Sequence, residues 1–242
     1  MENYVKGKRV LFMGDSITAL YMGSRGWPKY FCELLEPSHH ASVAVAGARW
    51  RDFEDTVYDG DPVFRLDVHN PNNTMCNQME KIKRKKAAGD EDFSDFDVII
   101  MAAGTNDAMP EDSAVTDAQF FADGEYVPLE KADTHTWGGA IRYVSESLYE
   151  LYPNAVQFIC TPIQADDNTR PFRSILEKGR VLKEIAARLS VRYIDTLHCG
   201  IYGRYEKRHV NGRSLVDGLH PNENGAKQMG FFIAMAVKSY LG

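Results

Sequence analysis

The sequence predicts an α/β fold in which a parallel sheet of five strands is covered by helices on both faces. Short apolar runs recur along the chain, and stretches of helical periodicity alternate with them. Size agrees, since 242 residues at 44% hydrophobic content can bury a full core without disulfides or metal. No repeat, low-complexity tract or linker divides residues 1–242, so a single domain is expected.

The first strand is Val10 to Met13, with Arg9 leading in, and it runs straight into the tight turn Gly14-Asp15-Ser16. Ser42 to Ala46 is the second. Phe96 to Ala103, which contains Val98-Ile99-Ile100-Met101, is the third and clearest. Ala155 to Thr161 and Val191 to Asp195 complete the set. Between the last two, Phe172, Ile175, Leu182, Ile185 and Leu189 fall on one helical stripe. Ile141, Val144, Leu148 and Leu151 make another, closed by Pro153, and Ala226, Met229, Ile233 and Val237 make a last one. Residues 55–73 and 108–136 are rich in Asp, Asn, Pro and Gly and too long for ordinary connections. They read as loops over the functional face, where substrate choice would lie.

A net charge of −6 gives no electrostatic reason to bind nucleic acid or anionic lipid. The densest basic run, Lys81 to Lys86, sits in a helical stretch and reads as a solvated helix face. Cys32, Cys76, Cys160 and Cys199 show no C-x-x-C spacing, and free thiols are expected. Residues 1–9 lack the apolar region of a secretory signal, and no stretch approaches the ~20 apolar residues needed to span a bilayer. A soluble, cytoplasmic protein is therefore expected, although a trimmed export signal would leave no trace.

Open parallel sheets bind ligands beyond the carboxyl ends of their strands. Ser16 follows the first predicted strand, Gly47 the second, Asn106 the third, and Asp217 and His220 come after the fifth. All of them land on one edge. A serine hydroxyl needs a base within hydrogen-bond reach and a third group to orient that base. In Asp217-Gly218-Leu219-His220 the carboxylate can reach one ring nitrogen and leave the other for Ser16. The Ser16 and Gly47 N–H groups and the Asn106 amide can stabilise charge on an attacked carbonyl oxygen. Asp107 is expected to brace its own loop. Alone, each motif has a bland reading, as a helix cap, a turn glycine or a loop amide; their shared edge is what favours the catalytic one.

Gly14-Asp15-Ser16, Gly47, Gly104-Thr105-Asn106-Asp107 and Asp217-Gly218-Leu219-His220 resemble, in order and placement, the four sequence blocks of the SGNH hydrolases, also called GDSL esterases and lipases. Chance would supply the three longer blocks in this order in well under about one such chain in a thousand. Ile17 stands where many members have Leu, a conservative departure. The resemblance implies a flavodoxin-like three-layer α/β/α sandwich with strand order 2-1-3-4-5. It also implies Ser16 as nucleophile, His220 as base, Asp217 as its orienter, and Ser16, Gly47 and Asn106 as oxyanion donors. No metal or organic cofactor is required. Trp137-Gly138-Gly139-Ala140 looks like members that act on carbohydrate esters.

The expected reaction is hydrolysis of a short-chain ester, acetyl above all, on a carbohydrate or other small molecule. Phe120, Phe121, Tyr126 and Trp137 among Asp112, Asp117, Asp123 and Glu125 suit a sugar ring, or else anchor their loop to the core. Arg49 and Trp50 line the alcohol side of the pocket, or form a rim ion pair and a packing aromatic. The alternative is a lysophospholipase or thioesterase taking longer acyl groups. A metal-dependent phosphoesterase would need clustered ligands, whereas His39, His40, His69, His135, His198 and His209 are scattered. A silent binding module for FMN or sugar would leave the convergence of Ser, Asn, Asp and His unexplained.

Overall fold

Two-residue alternation along the strands decides the architecture, because successive side chains enter opposite layers. The computed structural model describes residues 5–58, 70–108, 119–206 and 212–241. In chain order the elements are β1 (Arg9–Gly14), α1 (Ser16–Ala19), α2 (Trp27–Leu35), β2 (His39–Ser42), α3 (Met75–Ala87) and β3 (Val98–Ala102). There follow β4 (Phe121–Ala122), β5 (Glu125–Tyr126), α4 (Trp137–Leu151), β6 (Val156–Cys160), α5 (Phe172–Arg188), β7 (Arg192–Ile194), α6 (Gly203–Glu206) and α7 (Glu223–Leu241). Val10, Phe12, Val98 and Ile100 face a layer made by α2 and α7, where Trp27, Phe31, Ile233 and Val237 meet them. Leu11, Met13, Ile99 and Met101 face α3, α4 and α5, through Met79, Ile141, Val144 and Leu182. Each fully buried side chain of this size contributes about 1.5–3 kcal/mol. With apolar helices on both faces, the strands must be apolar on both sides, and their runs are continuous for that reason.

The main sheet has the order β2-β1-β3-β6-β7 with every pairing parallel, which is 2-1-3-4-5 when its five strands are numbered alone. Its register aligns the carboxyl ends, with Gly14 opposite Ala102 and Ala102 opposite Cys160. The order reverses at β1, so the loops after β1 and β3 flank the switch point where such sheets bind ligands.

The second strand departs from expectation, since it runs His39–Ser42 rather than over 42–46. Residues 43–46 continue alongside β1 with only Val43 N–H to the Phe12 carbonyl (3.1 Å) and Val45 N–H to the Gly14 carbonyl (3.0 Å). The ladder instead begins at two histidines, whose rings bond to the Asp92 carbonyl and the Tyr21 hydroxyl. Partners far along the chain thus make polar residues acceptable in an edge strand.

The basic run lies on α3, where Arg84, Lys85 and Lys86 occupy the last turn and complement the helix dipole. It is less solvated than expected: Lys83 reaches Glu80 and the Tyr143 hydroxyl, and Lys86 donates to the Leu151 carbonyl. All four cysteines are free and buried. Of the two long loops, 59–69 and 109–118 lie outside the described residues, including His69, Asp112 and Asp117, as does His209. Residues 119–127 form a two-stranded hairpin pinned by Arg142 of α4, whose buried guanidinium donates to the Gln119 carbonyl (3.0 Å), the Val127 carbonyl and Glu146 (2.8 Å). Among the described residues no helix is long and apolar enough to cross a membrane.

Candidate active site

The turn after β1 is built from backbone outward. A side chain on Gly14 would place its Cβ 2.3 Å from the Ala102 carbonyl oxygen, so only glycine lets β1 and β3 close at this edge. Gln78 of α3, fully buried, holds the same residue from the other layer: its Nε2 donates to the Gly14 carbonyl (2.8 Å), and its Oε1 accepts the Gly14 N–H (3.0 Å). Asp15, 1% exposed, caps the short α1 by accepting the Ile17 N–H (3.0 Å). Burial pushes its carboxyl up to about 6, against that N–H, the Thr105 side chain and the nearby charge of His220. Ser16, at the first position of α1, is partly exposed beyond the sheet edge.

Its hydroxyl lies 2.9 Å from His220 Nε2, across 204 residues of chain. His220 Nδ1 lies 2.8 Å from Asp217 Oδ2, while Asp217 Oδ1 accepts the N–H groups of Leu219 (3.0 Å) and His220 (2.8 Å). Partial burial opposes ionisation of Asp217. The His220 N–H, the ring and its charge, and the Leu219 N–H outweigh it and hold the carboxyl below its usual range. Gly218 is required here twice over, by φ +80° and because a Cβ would come within 2.9 Å of Asp166 Cβ. Asp166 N–H donates to the Gly218 carbonyl (2.7 Å), and Glu206 accepts the N–H groups of Ser214 (2.7 Å) and Leu215 (2.9 Å). The loop that carries the histidine is thereby tied to α6 and to the segment after β6.

The turns after β2 and β3 meet each other. Asn106 Nδ2 donates one hydrogen to the carbonyl of Ala48 (3.0 Å), the residue after Gly47, and the amide carries a second hydrogen. In front of Gly47 the space is open, since nothing lies nearer than Asn73 Nδ2 at 3.9 Å from a Cβ built there. Asp107, with a fully buried side chain, accepts the N–H groups of Trp50 (3.1 Å) and Arg51 (3.3 Å) and faces the Arg51 guanidinium at 3.9 Å. It therefore braces the neighbouring loop after β2 rather than its own. Burial pushes its carboxyl up, against the Trp50 N–H and the charge of Lys178.

The structure brings Ser16, His220 and Asp217 into one hydrogen-bonded line and sets Asn106 against the residue that follows Gly47. The substrate-facing reading of two residues is corrected. Trp50 is fully buried and Trp137 is 1% exposed, both inside the core between the sheet and α3 and α4. A ring of that size gains more from the core than from a wet rim, and Trp137 backs the turn after β3, with Cη2 3.3 Å from where a Gly104 Cβ would lie. Phe120 is buried as well, whereas Phe121 and Tyr126 are about half exposed and meet edge to face at 5.4 Å. Arg49 stays partly exposed and stacks over Phe53 at 4.1 Å. Sequence reasoning missed Gln78, Arg170 and Lys178. The first and last had one visible signal, a long polar side chain on the apolar stripe of its helix, and Gln78 falls between Met75 and Ile82 in this way.

The sequence model of the GDSL-like Lipase/Acylhydrolase family matches residues 12–228. A multidomain esterase of Ruminococcus flavefaciens is 23% identical over 96% of this chain, and the chain spans 29% of that relative's length. A crystal structure of a Lactobacillus plantarum protein superposes with TM-score 0.64 at 17% identity, covering 98% of this chain and 99% of the other. That of a carbohydrate acetylesterase from Sinorhizobium meliloti gives 0.54 at 15% identity, over 96% and 99%. At such identities the structural likenesses speak for the fold.

Proposed function

The chain belongs to the GDSL-like lipase/acylhydrolase family, and from that premise we propose that it is a serine esterase removing short acyl groups, acetyl above all, from a carbohydrate. The observation that carries the reading is the line from Ser16 Oγ through His220 to Asp217, with contacts of 2.9 and 2.8 Å, at the carboxyl edge of the sheet. Ser16 attacks the acyl carbon as His220 Nε2 takes its proton, and Asp217 holds the ring with Nδ1–H toward its carboxylate. The carbonyl oxygen, now negative, is met by the N–H groups of Ser16 and Gly47 and the Asn106 amide. His220 returns the proton to the leaving alcohol. A water deprotonated by the same nitrogen then attacks the acyl-enzyme and frees the acid. The residues account for each proton without a cofactor.

The choice of acetyl and carbohydrate rests on thinner support. One fold neighbour is a carbohydrate acetylesterase, and the half-exposed rings of Phe121 and Tyr126 offer flat apolar faces of the kind sugars stack on. Arg49, two residues after Gly47 and partly exposed, is our candidate to meet the alcohol portion.

Hydrolysis of p-nitrophenyl esters of increasing acyl length by the wild type and Ser16→Ala tests this. Acetate turnover that fades with chain length and falls at least about a thousandfold in the variant is expected. Preference for long chains would replace the substrate with a lysophospholipid or thioester. Equal rates in both proteins would end the serine mechanism.

A further inference from the structure

Lys178 lies on the buried stripe of α5 with Ile175, Leu182 and Ile185, and it is 1% exposed. Taking an ammonium out of water is unfavourable by several kcal/mol unless charges and acceptors surround it. Its Nζ lies 3.4 Å from the Thr105 carbonyl oxygen, and the same oxygen accepts Arg170 Nε at 3.0 Å. Two cationic side chains thus converge on the one carbonyl that precedes Asn106. Around the ammonium stand Asp107 from the turn after β3, Asp15 from the turn after β1, Arg170 from the segment before α5, and Arg49 from the loop after β2. The two carboxylates are buried, and none of the residues in the serine mechanism makes use of this cation.

We propose that Lys178 is a positioning residue for the oxyanion hole: its buried charge fixes the Thr105–Asn106 peptide and balances Asp15 and Asp107 behind the forming oxyanion. The inference rests on the serine-esterase reading above. A carbonyl held by two cations resists turning, so the residue after it keeps its orientation, and Asn106 stays on the Ala48 carbonyl. A fixed, buried positive charge at this depth also favours the state in which negative charge develops. Thr105 transmits the effect, and Lys178 itself touches no substrate.

Burial pushes the Lys178 ammonium down to about 8, against the attraction of Asp107. Deprotonation should then weaken the hole at alkaline pH. The experiment is kcat and KM for p-nitrophenyl acetate from pH 6 to 9.5, corrected for spontaneous hydrolysis, in the wild type, Lys178→Arg and Lys178→Met. An arginine keeps its charge throughout this range and a methionine never has one. In the wild type, kcat should fall several-fold around pH 8 while KM holds. Lys178→Arg should lose that fall and keep high activity. Lys178→Met should be flat and low, with kcat at pH 7 reduced about 10- to 100-fold and KM within about twofold. Wild-type kcat in Lys178→Met, or an alkaline fall that persists in either variant, overturns the proposal. Circular dichroism identifies a variant that has not folded. The remaining one then decides, and the absence of any alkaline fall in the wild type overturns the proposal without either. Lack of turnover dependent on Ser16 in the wild type would instead remove the esterase reading, and this inference with it.

Discussion

The turn that carries Ser16 and the loop that carries His220 meet at 2.9 Å but differ in how deeply the groups that hold them are buried. Around the serine, Asp15, Thr18 and Gln78 are buried, and Gly14 is gripped by a helix from the other layer. Around the histidine, the Asp217 side chain is 55% exposed, and its hydrogen bonds go to its own turn. The serine side is therefore set by buried tertiary packing, whereas the carboxylate beside His220 is held by its own exposed turn, in a loop anchored from α6 and the segment after β6. On the proposed serine mechanism, the division suits the two half-reactions. A nucleophile and its oxyanion donors need a fixed dry frame, while the base must also receive a water for deacylation.

If this contrast is right, damage on the loop side should appear in activity and damage on the turn side in stability. The largest effect should come from Asp217→Ala, which removes the group that orients His220. We expect kcat to fall about a thousandfold while urea unfolding shifts by less than about 1 kcal/mol, the surface value for an exposed partner. A large loss of stability would break the contrast. Next comes Gln78→Leu, which leaves the buried Gly14 N–H without its partner and takes from the Gly14 carbonyl one of its two donors, the other being Val45 N–H. Chemical denaturation should show a loss of about 2–4 kcal/mol, with a smaller decline in kcat measured below the unfolding midpoint. A variant as stable as the wild type would show that the clamp contributes nothing.

The smallest effect concerns Asp15. Its carboxyl titrates at about 6 when folded, above its ordinary 3.8, so the folded chain holds that proton more tightly than the unfolded one. This group's contribution is therefore most favourable at and below about pH 4 and is lost as pH rises through 6. The loss is about 3 kcal/mol at most, at 1.36 kcal/mol per unit. Asp15→Asn should remove this slope, so the stability difference between variant and wild type changes with pH between 4 and 7. A constant difference would show that Asp15 stays ionised on burial.

Much of the frame was legible because the chemistry at each place is local. Val98 to Ala102 needs only its own side chains to declare a strand buried on both faces. The blocks around Ser16, Asn106 and His220 could be placed at strand ends by chain order alone. Gln78 and Lys178 could be suspected only from their place on an apolar stripe, and their roles were not legible, because their partners are backbone atoms 64 and 73 residues away. Trp50 and Trp137 failed for a related reason. Nearness in sequence to Gly47, for Trp50, or to the second long loop, for Trp137, puts a ring near the site but does not say which side of the sheet edge it turns to. The second strand was misplaced because apolar content marked Val43 and Val45, while the ladder falls on His39 and His40.

The 204-residue span between Ser16 and His220 also has a meaning in time. A chain made from its N-terminus completes β1 and the serine turn long before residues 217–220 exist, and α7, which packs on α2, comes after both. Long-range contacts of this kind form late and together. Ser16 thus lacks His220 until residues 217–220 have been made, and α7, which closes over the first layer, follows them. Appearance of ester hydrolysis during refolding should accordingly track completion of the whole domain rather than the formation of its first strands.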